Sequence, residues 1–306
     1  MYMKKMSEGR KMFITVMSIF IVYAAVFIIF DDFDRNKLLL LDNVAERHLL
    51  AFAVIVVVIL GFLLHHYALR MDARIRREQT KKEKLTRRQM TQNISHELKT
   101  PVASILGYTE TIINNPDIDE PTRLQFIKRC HKQAQRLTML LQDISTLNRI
   151  DYAAKIIEMT PINVSEIIKE VVQETSFALE EQQMTLTNNV PDNIIVNGNA
   201  PLLYSIFHNL ADNSIKYSGK NTSITISTTE QNNYWKFTFS DNGNGIPQSA
   251  LPKIFERFYR IDKGRSRTMG GTGLGLAIVK NAIMLHGGKI SASSNNGLRF
   301  DFTLKK

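Results

Sequence analysis

Five short stretches of this chain carry residue types whose spacing suits chemistry. The first is TQNISHELKTPVASILGYTETII, residues 91–113. Its apolar residues fall at Ile94, Leu98, Pro101, Ile105, Tyr108 and Ile112, in steps of four and three, which makes one stripe on a helix. His96 lies two residues from Ile94 and two from Leu98, about 200° around the helix from each, so it is directed away from the seam. Glu97 is its neighbour, and Thr100 stands one turn on, on the same face. Pro101 cannot donate a backbone hydrogen bond, so the Glu97 carbonyl loses its helical partner and a bend is expected there. An exposed imidazole beside a carboxylate suits a histidine that gains and loses a group, although an ordinary surface histidine also fits this stretch taken alone.

The other four stretches lie in the last third. HNLADNSIKYS, 208–218, puts Asn209 and Asn213 four apart on a helix face, where their carbonyl oxygens suit a hydrated Mg²⁺, with Lys216 a turn further on for a phosphate and Tyr217 next to it. DNGNGIP, 241–247, follows a strand; Asp241 can accept from an exocyclic amine, and Gly243 and Gly245 let the backbone approach a flat ring. IFERFYRIDKGRSRTMGG, 254–271, starts with Phe255, Phe258 and Tyr259 and runs into Arg257, Arg260, Lys263, Arg265 and Arg267, the composition of a mobile lid. GGTGLGLAIVK, 270–280, places Gly271, Gly273 and Gly275 at the opening of a helix that runs to about Leu285, with Thr272 and Leu274 between them; N–H groups there can bind phosphate. It lacks the GK[ST] ending of a Walker loop. Each of the four, alone, also fits a solvated turn or surface.

These groups need elements to position them. A turn at NNPDIDEP, with Pro116 and Pro121, separates the His96 helix from a second that runs to about Asn148, with apolar residues at Leu124, Ile127, Ala134, Leu137, Leu141, Ile144 and Leu147. Two such helices cannot bury both stripes alone, so an all-α antiparallel hairpin that pairs into a dimeric four-helix bundle is expected, with His96 outside. From about Thr160 the periodicity changes. Val164–Gln183 and Ala200–Tyr217 read as helices; MTLTNNV, IIVNG, SITISTTE, YWKFTFSDNG, KISASS and LRFDFTL read as strands of one mixed sheet with helices on one side, an α/β sandwich.

Ahead of the hairpin, residues 12–30 are nineteen in a row without charge, about 28 Å as a helix and close to a bilayer core. Residues 49–69 form a second apolar run, broken only by His65 and His66. Residues 1–11 carry four bases and one acid, 31–48 five acids and three bases, and nine Lys or Arg fall between Arg70 and Arg88. That asymmetry predicts two transmembrane helices with both termini cytoplasmic and 31–48 outside, an outer loop too short for a core of its own. Residues 70–90 read as a linker helix whose basic residues can rest on anionic lipid. The +10 net charge gathers there and in the lid, not on a recognition helix, which argues against direct nucleic-acid binding. A single cysteine, Cys130, excludes an internal disulfide framework.

Five motifs in this order, SHELKTP and then the four glycine-, asparagine- and arginine-bearing stretches, resemble the sensor histidine kinases of bacterial two-component systems. The last part is similar to the ATPase fold shared with gyrase, Hsp90 and MutL, and the short outer loop resembles the intramembrane-sensing subgroup. The resemblance implies a multidomain membrane protein of the bacterial cytoplasmic (inner) membrane, with a dimerisation and phosphoacceptor domain at 91–150 and an ATP-binding domain at 160–306. It implies ATP and Mg²⁺ as cofactors, His96 as phosphoacceptor, Glu97 as base, Thr100 as the group that orients water for dephosphorylation, and Arg260 at the γ-phosphate. Asn209 and Asn213 would hold Mg²⁺ and phosphate, Lys216 and Tyr217 flank the nucleotide, Asp241 reads the adenine amine over Gly243 and Gly245, and Gly271, Thr272, Gly273, Leu274 and Gly275 shape the phosphate end. Expected partners are a second copy of the chain, a response regulator, membrane lipid and a sensing partner in the membrane. The rival reading is a membrane receptor or scaffold whose ATP site only switches conformation, as in Hsp90-like ATPases.

Overall fold

The computed structural model describes Met17, Ile21, Ala24 and residues 44–153, 157–261 and 271–306. The expected span at 12–30, the N-terminal segment 1–11, most of the outer loop, and Lys263, Arg265 and Arg267 of the basic segment lie outside the described residues or nearly so. Two compact units result, residues up to Gln89 and residues from Met90 onward. In the first, the described chain is helical from Val44, and its stretch Phe52–Lys81 is long and apolar enough to cross a membrane, with a mean hydropathy of 2.3 over its most apolar window. Phe52, Ile59, Phe62 and Leu63 all stand exposed around it, as on a helix whose surroundings are apolar. Among the described residues this is the one helix that meets the test, so the second expected span has its helix while the first is not covered.

The second unit opens with the hairpin. Helix α1, Val44–Asn114, runs through Pro101 without ending, and helix α2 spans Glu120–Ala153. The Asp119 carboxylate caps α2 by accepting from the Thr122 N–H at 3.0 Å, and its hydrogen bonds to Thr122 hold its carboxyl below the usual range. The pairing is antiparallel: Tyr108 stacks on Phe126 with centroids 5.3 Å apart, Cys130 Sγ lies 3.8 Å from the Ile105 carbonyl, and Arg136 reaches Glu97 at 3.1 Å. Residue numbers fall on one helix as they rise on the other. Every member of the expected α1 stripe is at least partly buried. The expected α2 stripe is two faces. Leu147 is buried, with Leu137 and Ile144 partly so, whereas Leu124, Ile127, Ala134 and Leu141 are exposed. Val102, Leu106 and Ile113 of α1 are exposed as well, so both helices carry apolar residues that the single chain leaves uncovered.

The rest is a sandwich. Its five-stranded sheet runs β2–β4–β5–β7–β6: β2 Thr185–Asn189, β4 Ser223–Gln231, β5 Tyr234–Asp241, β6 Ile290–Ser294 and β7 Leu298–Lys305. Only the β2–β4 pair is parallel. Strand β1, Thr160–Asn163, and strand β3, Ile195–Gly198, make a separate antiparallel pair, so IIVNG does not join the main sheet as the sequence suggested. Its four residues bond β1, and Val164 N–H bonds Ile194, which leaves the pair stitched to the start of a helix instead. Helices α3, Val164–Glu181, α4, Ala200–Tyr217, and α5, Gly275–Leu285, cover one face. Alternation along β5 and β7 turns Phe237, Phe239, Phe300 and Phe302 inward. Phe207 of α4 meets Phe237 edge-on at 5.6 Å, and Phe237 stacks on Phe302 at 5.4 Å. Leu140, Leu147 and Ile150 of α2 belong to the same core, so the hairpin is seated against the sandwich.

One buried histidine fixes how the two site-bearing helices meet. His286, 4% exposed, follows α5; its Nε2 accepts from the Asn199 N–H at 3.0 Å and its Nδ1 lies 2.7 Å from the Ala282 carbonyl. Asn199 in turn caps α4. Protonation would place a donor against the Asn199 N–H, and burial pushes the imidazole below its ordinary 6.5. Because the folded value is lowered, this contribution to stability is complete above about pH 6.5 and is lost as pH falls through the folded value. Trp235, the single tryptophan, lies in β5 and reports the sheet. Urea unfolding followed by its fluorescence should weaken from pH 7 to pH 5, and His286→Gln should reduce that dependence; an unchanged slope in the variant would exclude the histidine as its source.

Candidate active site

His96 projects from α1 with its side chain 69% exposed, as its position off the apolar stripe requires. Its Nδ1 lies 4.0 Å from Glu97 Oε1. The Thr100 hydroxyl donates to the His96 carbonyl at 3.2 Å, and His96, Lys99, Thr100, Ala103 and Ser104 line one groove along the helix. The other Glu97 oxygen, Oε2, accepts from two arginines, Arg136 of α2 and Arg260 of the segment before the glycine-rich loop, each at 3.1 Å. Arg260, 7% exposed, also donates to the Gly271 carbonyl at 2.6 Å. Asn93, His96, Glu97 and residues 256–260 thereby line one cleft of about 460 Å³.

Asp241 ends β5 on the same inward side as Phe237 and Phe239, which buries its carboxylate to 8% exposure between sheet and α4. Oδ1 accepts from the Gly243 N–H at 3.0 Å and the Leu298 N–H at 3.2 Å; Oδ2 accepts from the Ser214 hydroxyl at 2.8 Å. A carboxylate offers about four acceptor positions, so Oδ2 keeps one for a ligand. Gly243 and Gly245 continue from it as the sequence placed them, in the turn beside Ser218 and Ser294.

The Asn-bearing face of α4 meets the glycine-rich loop. Asn209 Nδ2 donates to the Ser205 carbonyl at 2.7 Å, which turns its Oδ1 toward the start of α5: a Cβ on Gly275 would come within 2.5 Å of that oxygen. Asn213 is half-buried one turn on, and Lys216 pairs with Asp212 at 2.7 Å. Helix α5 begins after Leu274 with no side-chain cap, so its first N–H groups are left for another acceptor. Gly273 takes φ +75°, and a Cβ there would lie 3.2 Å from Arg260 Nε. Thr272 accepts from the Leu274 N–H at 3.2 Å and donates to Asp143 of α2 at 2.6 Å, where burial pushes the carboxyl up and this hydrogen bond opposes it. Burial raises the Tyr217 phenol, and the Arg260 and Arg136 guanidiniums act against that rise. Among the described residues no group of three or more His, Cys, Asp or Glu could hold a metal ion.

The geometry therefore brings His96, Glu97 and Arg260 together and gathers Asn209, Thr272, Gly273 and Gly275 at one helix start. Four contributors escaped the sequence reading: Arg136, Ser214, Asp143 and Asp151, the last paired with Arg257 at 2.8 Å. Two left a signal. Arg136 falls in the buried register of Leu140, Leu147 and Ile150, where a charge demands a partner, and Ser214 continues the inward row of Leu203, Phe207 and Leu210.

Known proteins match this arrangement. The model of the His Kinase A (phospho-acceptor) domain matches residues 86–153, and that of the histidine kinase-, DNA gyrase B- and HSP90-like ATPase matches residues 198–306. The sensor-like histidine kinase SenX3 of Mycolicibacterium smegmatis is 35% identical over 219 residues, covering 72% of this chain and 57% of that protein. The sensor protein kinase WalK of Staphylococcus aureus is 32% identical over 270 residues, covering 86% of this chain and 63% of that protein. The chain thus spans less than two thirds of the length of these relatives. The fold is also that of the Acinetobacter baumannii histidine kinase AdeS, at TM-score 0.56, 22% identity and coverage of 69% of this chain and 97% of that one. It is shared with the histidine kinase ThkA solved in complex with the response regulator protein TrrA, at TM-score 0.59, 23% identity and coverage of 76% and 66%. With a phosphoacceptor domain followed by this ATPase domain, the chain belongs to the sensor histidine kinases of two-component systems.

Proposed function

We propose that this protein is a membrane-bound, ATP-dependent protein-histidine kinase that phosphorylates its own His96 and passes the phosphoryl group to an aspartate of a response regulator. The observation that carries the reading is the shared cleft: His96, its neighbour Glu97 and the phosphate-directed Arg260 line one space. Phosphoryl transfer asks chiefly for positioning and charge stabilisation. Glu97 faces Nδ1, so Nε2 attacks the γ-phosphorus in line; the Nε2–P bond forms as the P–O bond to ADP breaks. Glu97 takes the Nδ1 proton as positive charge builds on the ring. Arg260, released from Glu97, offsets negative charge on the transferring group. Asp241 takes the adenine amine on its remaining acceptor position, with Gly243 and Gly245 beneath the ring and Tyr217 at its flank. Lys216 and the N–H groups from Gly271 to Gly275 meet the phosphates. The amide oxygens of Asn209 and Asn213 fit a hydrated Mg²⁺, which would supply charge neutralisation there.

Thr100, on the His96 face, would orient water when the kinase dephosphorylates its partner. The uncovered apolar residues Val102, Leu106, Ile113, Leu124, Ile127 and Leu141 support a homodimeric four-helix bundle. The helix at Phe52–Lys81 and the basic residues between Arg70 and Arg88 support seating in a bacterial cytoplasmic membrane with cytoplasmic termini, in contact with anionic lipid.

His96→Gln should abolish acid-labile label from γ-labelled ATP while nucleotide titration stays normal; label that persists would refute the acceptor, and an ATPase without phosphohistidine would favour the conformational scaffold. Asp241→Asn keeps the shape but loses a charge-assisted bond, so ATP affinity should fall by about tenfold or more. An unchanged titration would remove the adenine role. Thr100→Ala should spare autophosphorylation and slow dephosphorylation of the regulator; equal loss of both would make Thr100 structural.

A further inference from the structure

Glu97 is held from two sides by arginines of different standing. Arg260 belongs to the segment that leads into residues 262–270 and the glycine-rich loop, and it already divides its donors between Glu97 and the Gly271 carbonyl. Arg136 belongs to α2, whose register on α1 is set by Tyr108 on Phe126 and by Cys130 against Ile105. It is 9% exposed and sits in the row of Leu140 and Leu147. Both guanidiniums bind the same Glu97 oxygen, Oε2, which leaves Oε1 on the side of His96 Nδ1.

We infer that Arg136 is a positioning residue for the histidine-phosphorylation step: it keeps the Glu97 carboxylate on the His96 ring once Arg260 leaves for the nucleotide. The inference rests on the kinase reading. A carboxylate oriented by Arg260 would lose that hold at the moment the phosphate claims the arginine. Arg136 removes the conflict, because it reaches Glu97 across the hairpin and does not depend on the segment that must move. It also balances the Glu97 charge in a half-buried place, where an unmatched carboxylate is costly. Its guanidinium meets the Glu97 oxygen that faces away from His96, so it acts through the carboxylate and not on the reacting atoms.

The test uses the full-length chain in detergent and four proteins: wild type, Arg136→Gln, Glu97→Gln and the double variant. Arg136→Gln should lower kcat for His96 phosphorylation by about ten- to a hundredfold with KM for ATP within about twofold. The double variant should be no slower than Glu97→Gln, because a residue that works through Glu97 has nothing left to position. Arg136→Lys, which keeps the charge without the planar fork, should fall between wild type and Arg136→Gln, and it carries the test if the Gln variant does not fold. A wild-type rate in Arg136→Gln and Arg136→Lys, a raised KM with kcat intact, or losses in the double variant that multiply those of the singles would overturn the inference. A wild-type chain that forms no phosphohistidine would instead overturn the kinase reading itself.

Discussion

The structure turns on one carboxylate. Glu97 stands beside the exposed His96 on one oxygen and accepts two guanidiniums on the other, each at 3.1 Å. Its side chain is only 14% exposed, so its charge must be matched locally. The consequence is geometric. Whatever holds Glu97 also determines where the segment at residues 256–260 lies relative to His96, because Arg260 is one of the two holders. The same contact brings His96 and Arg260 into one cleft and keeps that arginine paired with a carboxylate.

Two further contacts reinforce this seat. Arg257 pairs with Asp151, and Thr272 donates to Asp143, so carboxylates of α1 and α2 engage three positions around the loop: Arg257, Arg260 and Thr272. Burial raises the Asp143 carboxyl, and the Thr272 hydrogen bond opposes that rise. Behind this seat the sandwich supplies rigidity. The Phe207, Phe237 and Phe302 cluster fixes α4 on the sheet, Asp241 takes its inward direction from the strand pleat, and His286 ties the end of α5 to the capped start of α4. The Asn-bearing helix and the glycine-started helix are thus set against each other by the protein's own packing.

Much of this was legible in the residues because it follows from period and from backbone chemistry. The α1 stripe, the outward His96, the strand alternation that buries Asp241 and the glycine start of α5 all follow from spacing. What escaped depends on tertiary pairing. Asp143 looks like an ordinary polar residue of a helix until the hairpin's seat on the sandwich is known, and Arg136, although it shares the register of Leu140 and Leu147, has no identifiable partner until the hairpin pairs. Ser214 is one hydroxyl in a helix until β5 brings a carboxylate to it. The α2 pattern merged an inward row with the exposed one of Leu124, Ile127 and Leu141, since this helix carries two apolar faces and a single stripe cannot separate them. IIVNG has strand composition, but whether it pairs with the main sheet or with β1 is decided by long-range contacts.

The proposed chemistry depends on the passage of a phosphoryl group from the glycine-rich loop to one ring nitrogen, Nε2 of His96. The most direct measurement is the ³¹P–¹⁵N dipolar coupling between the γ-phosphorus of a bound, non-hydrolysable ATP analogue and histidine side-chain nitrogens in the full-length chain with Mg²⁺. A coupling assigned to His96 at a separation of roughly 3–4 Å, as in-line attack requires, is the predicted result. Saturating nucleotide with no coupling to His96 would contradict it.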